Sequence, residues 1–320
     1  MINDEALRTA ATEADRVITE SLPSAAACTH VFPPVFHKKM QRTIRRGNHP
    51  AIARLPKQIA CFILSASDST MRKRIFNIMR RKALFLGLSD GSHMDYFRRQ
   101  NPMLSNEQVF INYDFSNERA LGMKDSLKQD LTTLCKDTDY SLNKDDSNFR
   151  TFFLIDDFSA SGISYIRMED GKWKGKIPKF YNLLGDIGFP KEDISIHVVL
   201  YIATDEALMH IRSNASDFLK SHKCGVTVDA IQRISGVELT DAEEDLLRRN
   251  YELNAVKSSG FVDSHFRKGK TQKPYLGFNE CSLPLIIYHN TPNNSFPILW
   301  YAWNGEDHAL FPRTTRHKEA

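Results

Sequence analysis

The stretch Thr151-Phe-Phe-Leu-Ile-Asp-Asp-Phe-Ser-Ala-Ser-Gly-Ile-Ser164 decides the fold. Residues 152–155 are a short apolar run of the kind that forms a fully buried strand. Asp156 and Asp157 follow, then a loop of small and hydroxyl residues, and Gly162 opens what reads as a helix. A strand, two acids and a small-residue loop at a helix start make a compact site for a phosphorylated sugar. Loop amides and the positive end of a helix hold a phosphate. The acids accept hydrogen bonds from sugar hydroxyls, directly or beside a Mg²⁺. The plainer alternative is a buried strand and a turn whose acids cap a helix.

Working outward, strands alternate with helices. Residues 194–203 carry the strongest strand signal, and Thr204-Asp-Glu206 caps a helix to about residue 219. Residues 226–231 and 283–289 read as strands, as does Glu107-Gln-Val-Phe-Ile-Asn-Tyr113. Helices are expected over 116–135, 163–168, 178–188 and 240–254. A further helix, capped by Asp68-Ser69-Thr70, is expected to run to about residue 86. Asp170-Gly171 is a hairpin turn within 169–175. This alternation predicts an α/β fold with a mainly parallel sheet flanked by helices. Residues 1–54 form an N-terminal helical and basic extension, 55–303 the α/β domain and 304–320 a polar tail. Ligands collect at the carboxyl ends of parallel strands. Asp156, Thr204 and His289 are each expected there.

Composition narrows the function classes. The chain has 320 residues, 41% hydrophobic and 26% charged, with a formal net charge of +4. That balance suits a globular protein with an anionic ligand and does not by itself demand nucleic acid. No apolar run reaches the roughly 18 residues of a membrane span. The start of the chain lacks a signal-peptide pattern, so a cytoplasmic location is expected. The five cysteines lack any Cys-x-x-Cys pair, which argues against a disulfide framework or zinc site. An aspartyl-nucleophile phosphohydrolase needs Asp-x-Asp after its strand, whereas these acids are adjacent and followed by Phe158.

Four hydrophobic residues, two acids and the ending Ser161-Gly162-Ile163-Ser164 resemble the phosphoribosyl pyrophosphate (PRPP) motif of type I phosphoribosyltransferases. The resemblance implies the type I core with a variable hood. It implies that Asp156 and Asp157 are catalytic, meeting the ribose 2′- and 3′-hydroxyls and Mg²⁺ indirectly through pyrophosphate. Phe158, Ser159, Ala160, Ser161, Gly162, Ile163 and Ser164 would wrap the ribose 5′-phosphate. The family's pyrophosphate loop follows an early strand, and Ser89, Asp90, Gly91 and Ser92, with Arg98 and Arg99, match it in position. Such a loop also makes an ordinary turn, and the arginines suit a solvated helix face.

His289-Asn290-Thr291-Pro-Asn293-Asn294 is richer in polar groups than a turn requires. His289, Asn290, Thr291, Asn293 and Asn294 are therefore candidates for reading a base or acceptor. The competing reading is a Pro-Asn turn between strands. Lys172, Lys174 and Lys176 flank Trp173 in a stretch read as a solvated hairpin.

As a whole the chain resembles a divergent branch of the superfamily associated with bacterial conflict systems, PRTase-CE-like. Some proteins of that branch act as antiviral effectors beside retron reverse transcriptases. The expected ligand is a small-molecule phosphosugar or nucleotide, with Mg²⁺ as cofactor. A protein, RNA or DNA partner in a defence system and a homo-oligomer fit the resemblance, and no membrane partner is expected. Transfer or hydrolysis of the ribosyl bond stands against a catalytically inactive nucleotide-sensing or protein- or RNA-binding module on the same fold.

Overall fold

A computed structural model describes residues 77–78, 80–102, 104–136, 147–255, 271–287, 290–300 and 311. The N-terminal extension, His289 and nearly all of the tail lie outside the described residues.

The central strand is the decisive sequence. β1 (Ala83–Gly87), β2 (Val109–Phe110) and β3 (Thr151–Ser159) are joined by the later β6 (Ile194–Thr204) and β7 (Cys224–Ile234). They form one parallel sheet in the order β2-β1-β3-β6-β7. β3 lies between β1 and β6, which pair both its edges, and it buries side chains on both faces of the sheet, so residues 152–155 are apolar without alternation. Between β3 and β6 the chain makes a separate antiparallel hairpin, β4 (Arg167–Glu169) and β5 (Lys172–Lys174). Asp170 (φ 53°) and Gly171 (φ 70°) turn it, both left-handed as a two-residue type I′ turn requires.

Among the described residues the helices are α1 (Met94–Gln100), α2 (Asn117–Cys135), α3 (Lys176–Asp186), α4 (Asp205–Ser221), α5 (Asp241–Ala255) and α6 (Pro297–Trp300). Ser116 and Thr204 are side-chain N-caps, the second of them announced by the sequence. Ser116 Oγ accepts from Arg119 N at 3.3 Å, and Thr204 Oγ1 from Ala207 N at 3.0 Å.

Period-two alternation along β3 feeds two cores. Phe152 and Leu154 pack with Leu127 of α2, Phe180 of α3 and Phe218 of α4. Phe153 and Ile155 pack on the opposite face with Phe85, Tyr201 and Phe97 of α1. Phe85 and Phe153 stack with ring centroids 4.9 Å apart. Each such buried side chain contributes roughly 1.5–3 kcal/mol relative to exposure. The acid pair continues this strand, so its position is set by the same packing.

The α/β fold with a mainly parallel sheet is as the sequence predicts, but several local expectations change. β3 runs on through the acids to Ser159 rather than ending at residue 155. No helix forms over 163–168; Gly162 turns the chain into the hairpin instead. The expected helix reaching residue 86 ends before Ala83, where β1 starts. The 107–113 strand shrinks to Val109–Phe110. In the described part of 283–289 only isolated bridges form, Leu283 with Ser295 and Ile287 with Asn290.

The strand order places a topological switch point between β1 and β3. The chain leaves β1 for β2 on one side and later returns through β3, β6 and β7 on the other. Crevices outside the carboxyl ends of such strands are where open α/β sheets bind ligands. The two motifs singled out in the sequence follow β1 and end β3.

Candidate functional site

Both motifs meet at that switch point. Leu88 N donates to Ile155 O at 2.9 Å, continuing the β1–β3 ladder past β1. A short 3₁₀ turn, Asp90–Ser92, follows. Ser92 is fully buried, and its hydroxyl donates to Ile155 O at 2.7 Å while accepting from the amides of Leu88 and Ser89 at 3.2 Å. Tyr201 of β6 donates its phenol to Ser92 O at 2.5 Å. Three strands therefore fix the loop. Gly91 is buried with Ser92, whereas Asp90 is exposed.

Ser89 carries the contact between the motifs. Its hydroxyl lies 2.5 Å from Asp156 Oδ1 and 3.3 Å from Asp157 Oδ1. A hydroxyl has one proton to donate, and the shorter distance assigns it to Asp156. The other oxygen of Asp156 accepts from the Tyr165 phenol and the Lys176 ammonium. Lys176 also sits over the Tyr165 ring, 4.8 Å from its centroid.

The two acids thus differ. Asp156 is fully buried and takes three internal donors, while Asp157, the next residue of β3, is half-buried. The ribose contact expected of Asp156 is not open to it in this arrangement. Burial raises the Asp156 pKa, the adjacent Lys176 charge opposes that rise, and Asp157 reinforces it. Burial, and then the Asp156 charge, hold the Tyr165 phenol well above its ordinary range, so it remains a donor.

The loop after β3 is fastened at its base. Ser159 is buried, and its hydroxyl accepts from Gly162 N at 3.2 Å. The Thr204 hydroxyl donates to Ala160 O, tying the loop to the first turn of α4. Gly162 has φ 71°, and a Cβ there would lie 2.7 Å from Ala207 O. Only glycine suits both the conformation and the space. Tyr165 N closes the turn on Gly162 O at 3.0 Å. The amides of Ser161, Ile163 and Ser164 meet no acceptor among the described residues, and these three residues are half-exposed or exposed. Phe158 packs inward against Ala160, Cys281 and Leu283.

The helix end invoked in the sequence argument does not follow Gly162. The helix beside the loop is α4, and its first turn already carries Asp205 and Glu206. An anion placed beside this loop would therefore meet backbone amides rather than a helix dipole.

The remaining candidates lie further off. Arg98 and Arg99 stand exposed on the last turn of α1, a helical turn beyond the loop, and make no ion pair among the described residues. Asn290 exchanges backbone hydrogen bonds with Ile287. Thr291 is buried, with its hydroxyl donating to Phe311 O at 3.2 Å. Asn293 O accepts from Phe278 N at 2.7 Å. Asn294 is buried and donates to Phe278 O at 3.0 Å and to Cys281 Sγ at 3.4 Å. These groups stitch the C-terminal segment together. The segment reaches the loop through Cys281 and Leu283, and the hydrogen bonds of Asn290, Thr291, Asn293 and Asn294 stay within the C-terminal segment.

Sequence reasoning missed Tyr165 and Lys176. Tyr165 directly follows the motif, but nothing in sequence aims its phenol back at Asp156. Lys176 belongs to a run read as solvated, and its side chain is only 27% exposed. The available signal is physical: an acid inside a buried strand needs a cation.

Among the described residues no group of three or more His, Cys, Asp or Glu could hold a metal ion. The donor set fits Mg²⁺ only in the manner in which substrate phosphates and water supply most of its ligands.

No curated protein and no solved structure matches the chain. A model of the PRTase-CE family matches residues 35–313, spanning the sheet, the acid pair and the C-terminal segment. The chain, with its phosphoribosyltransferase-like core, therefore belongs to the PRTase-CE family.

Proposed function

We propose that the switch-point crevice binds PRPP with Mg²⁺, and that the protein transfers or hydrolyses the ribosyl bond. The observation that carries this reading is the meeting of the Ser89–Ser92 loop with the acid pair, made by Ser89 on Asp156 at 2.5 Å. A pyrophosphoryl sugar needs two anion sites flanking a hydroxyl-binding carboxylate, and the two loops flank Asp157.

In this reading Asp157 accepts hydrogen bonds from ribose hydroxyls. The amides of Ser161, Ile163 and Ser164 face the 5′-phosphate, and the 89–92 loop receives the pyrophosphate. Departure of pyrophosphate leaves an oxocarbenium-like ribose, by chemical parallel with glycoside cleavage. Asp157 stabilises the positive charge developing nearby, because a fixed anion in a partly dry site acts strongly. Mg²⁺ bound to the ligand's phosphates would supply neutralisation of the leaving group.

Membership of the PRTase-CE family supports a second element of the proposal, an effector role in bacterial antiviral defence, including beside retrons. Consumption of PRPP or nucleotides would starve a replicating virus. Phosphorus NMR of PRPP and Mg²⁺ incubated with the protein, with and without bases, tests the chemistry. Growing pyrophosphate is expected. Binding without turnover would favour the sensing module, which the full internal engagement of Asp156 also suits. The absence of both binding and turnover would refute the proposal.

A further inference from the structure

The 156–164 segment is closed by a residue outside it. Lys176 opens α3, twenty positions after Asp156, and is delivered by the β4–β5 hairpin. Its ammonium grips Asp156 at the start of the segment. Its backbone amide donates to Ser164 O at the other end, at 3.0 Å. Its neighbours extend the seam: Ile177 N donates to Tyr165 O at 2.9 Å, and a Cβ on Gly175 would lie 2.5 Å from that same oxygen. Gly175 has φ 118°, so a glycine is needed both for the backbone and for the approach.

We infer that Lys176 is a positioning residue that clamps both ends of the small-residue loop, setting the spacing between its amides and Asp157. The inference rests on the proposed phosphosugar reading and deepens it. Asp156 is then the anchor of the clamp and not a sugar contact. Its three donors come from three separate elements, Ser89 after β1, Tyr165 after the loop and Lys176 on α3. One buried carboxylate thereby fixes the parts that surround the ligand, and the ligand is left to Asp157. An ion pair whose carboxylate is buried is a registry device, costly to break from the lysine side alone.

The test combines a stability cycle with three ligands. Lys176→Met and Asp156→Asn each lower the melting temperature by roughly 10 °C, the scale expected for breaking one side of a buried pair. The double variant is expected to melt no lower than the worse single one. Lys176→Arg restores most of the loss. In hydrogen exchange, Lys176→Met speeds the amides of 159–164. Against ligands, Lys176→Met weakens ribose 5-phosphate and PRPP together, by about ten- to a hundredfold as for a misplaced binding group. Pyrophosphate alone, bound through the 89–92 loop, is unaffected. Additive melting losses, or equal weakening of all three ligands, would overturn the clamp. If the wild type binds none of the three, the phosphosugar reading fails, while melting and exchange still decide whether Lys176 holds the loop.

Discussion

Ser89 Oγ and Asp156 Oδ1 lie 2.5 Å apart, although 67 residues separate them in sequence. The pair joins the turn after β1 to the acid pair on β3 and makes them one site at the switch point. Ser89→Ala removes a hydrogen bond to a charged, buried group. The expected cost is about 1.5–3 kcal/mol in urea unfolding. A loss below a few tenths would mean that the loop is held without this contact.

Gly162 and Gly171 offer a paired test of the loop's geometry. Both have left-handed φ, 71° and 70°, but a Cβ at Gly171 meets nothing within 4 Å, whereas at Gly162 it meets Ala207 O at 2.7 Å. Gly171→Ala is expected to cost about 1–2 kcal/mol, the conformational term alone. Gly162→Ala pays that term and must also push the loop from α4, so its melting temperature falls further and ligand affinity falls with it. Equal losses would mean that the loop yields without resistance.

Cys281 packs beside the loop, and burial pushes its thiol up to about 12. The reactive thiolate is then scarce at pH 8. Mass spectrometry after brief iodoacetamide treatment is expected to find Cys281 unmodified in the native protein and modified in urea. Rapid native labelling would show that the C-terminal segment lifts from Ala160.

The same segment is tethered to α5, where Glu244 takes Lys273 Nζ at 2.6 Å and the Tyr275 phenol at 2.9 Å. Those hydrogen bonds, Lys273 first, lower the Glu244 pKa. A carboxylate depressed in the folded state adds stability above its unfolded pKa of roughly 4.3 and loses it as pH falls through the folded value. Glu244→Gln is therefore expected to speed amide exchange across 271–276 at neutral pH. Its difference from wild type should vanish in acid, below the depressed value. A difference that persists unchanged there would place the tether elsewhere.

Much of the core was legible because packing leaves a pattern. The unbroken apolar run of β3, the long run of β6, the Thr204 cap and the Asp170-Gly171 turn each carry a local signal that the fold obeys. The failures are tertiary. Residues 163–168 read as a helix start because Gly162 follows small hydroxyl residues, but its left-handed turn against α4 redirects the chain. The apolar run that marks the strand in sequence ends at Ile155, before the acids. The strand continues because Ser89, Tyr165 and Lys176, from three separate elements, satisfy Asp156. Thr291 and Asn294 looked too polar for a turn, yet a segment with little regular structure needs side chains to satisfy its backbone. His289 lies outside the described residues.

Calorimetric titration of the wild type and of Asp157→Asn with PRPP and Mg²⁺ shows whether Asp157 holds the sugar. The wild type is expected to bind, and the variant to bind at least about tenfold more weakly, the loss of one charge-assisted contact, at an unchanged melting temperature. A wild type that takes up no PRPP, or a variant that binds it equally well, would contradict the assignment of the crevice.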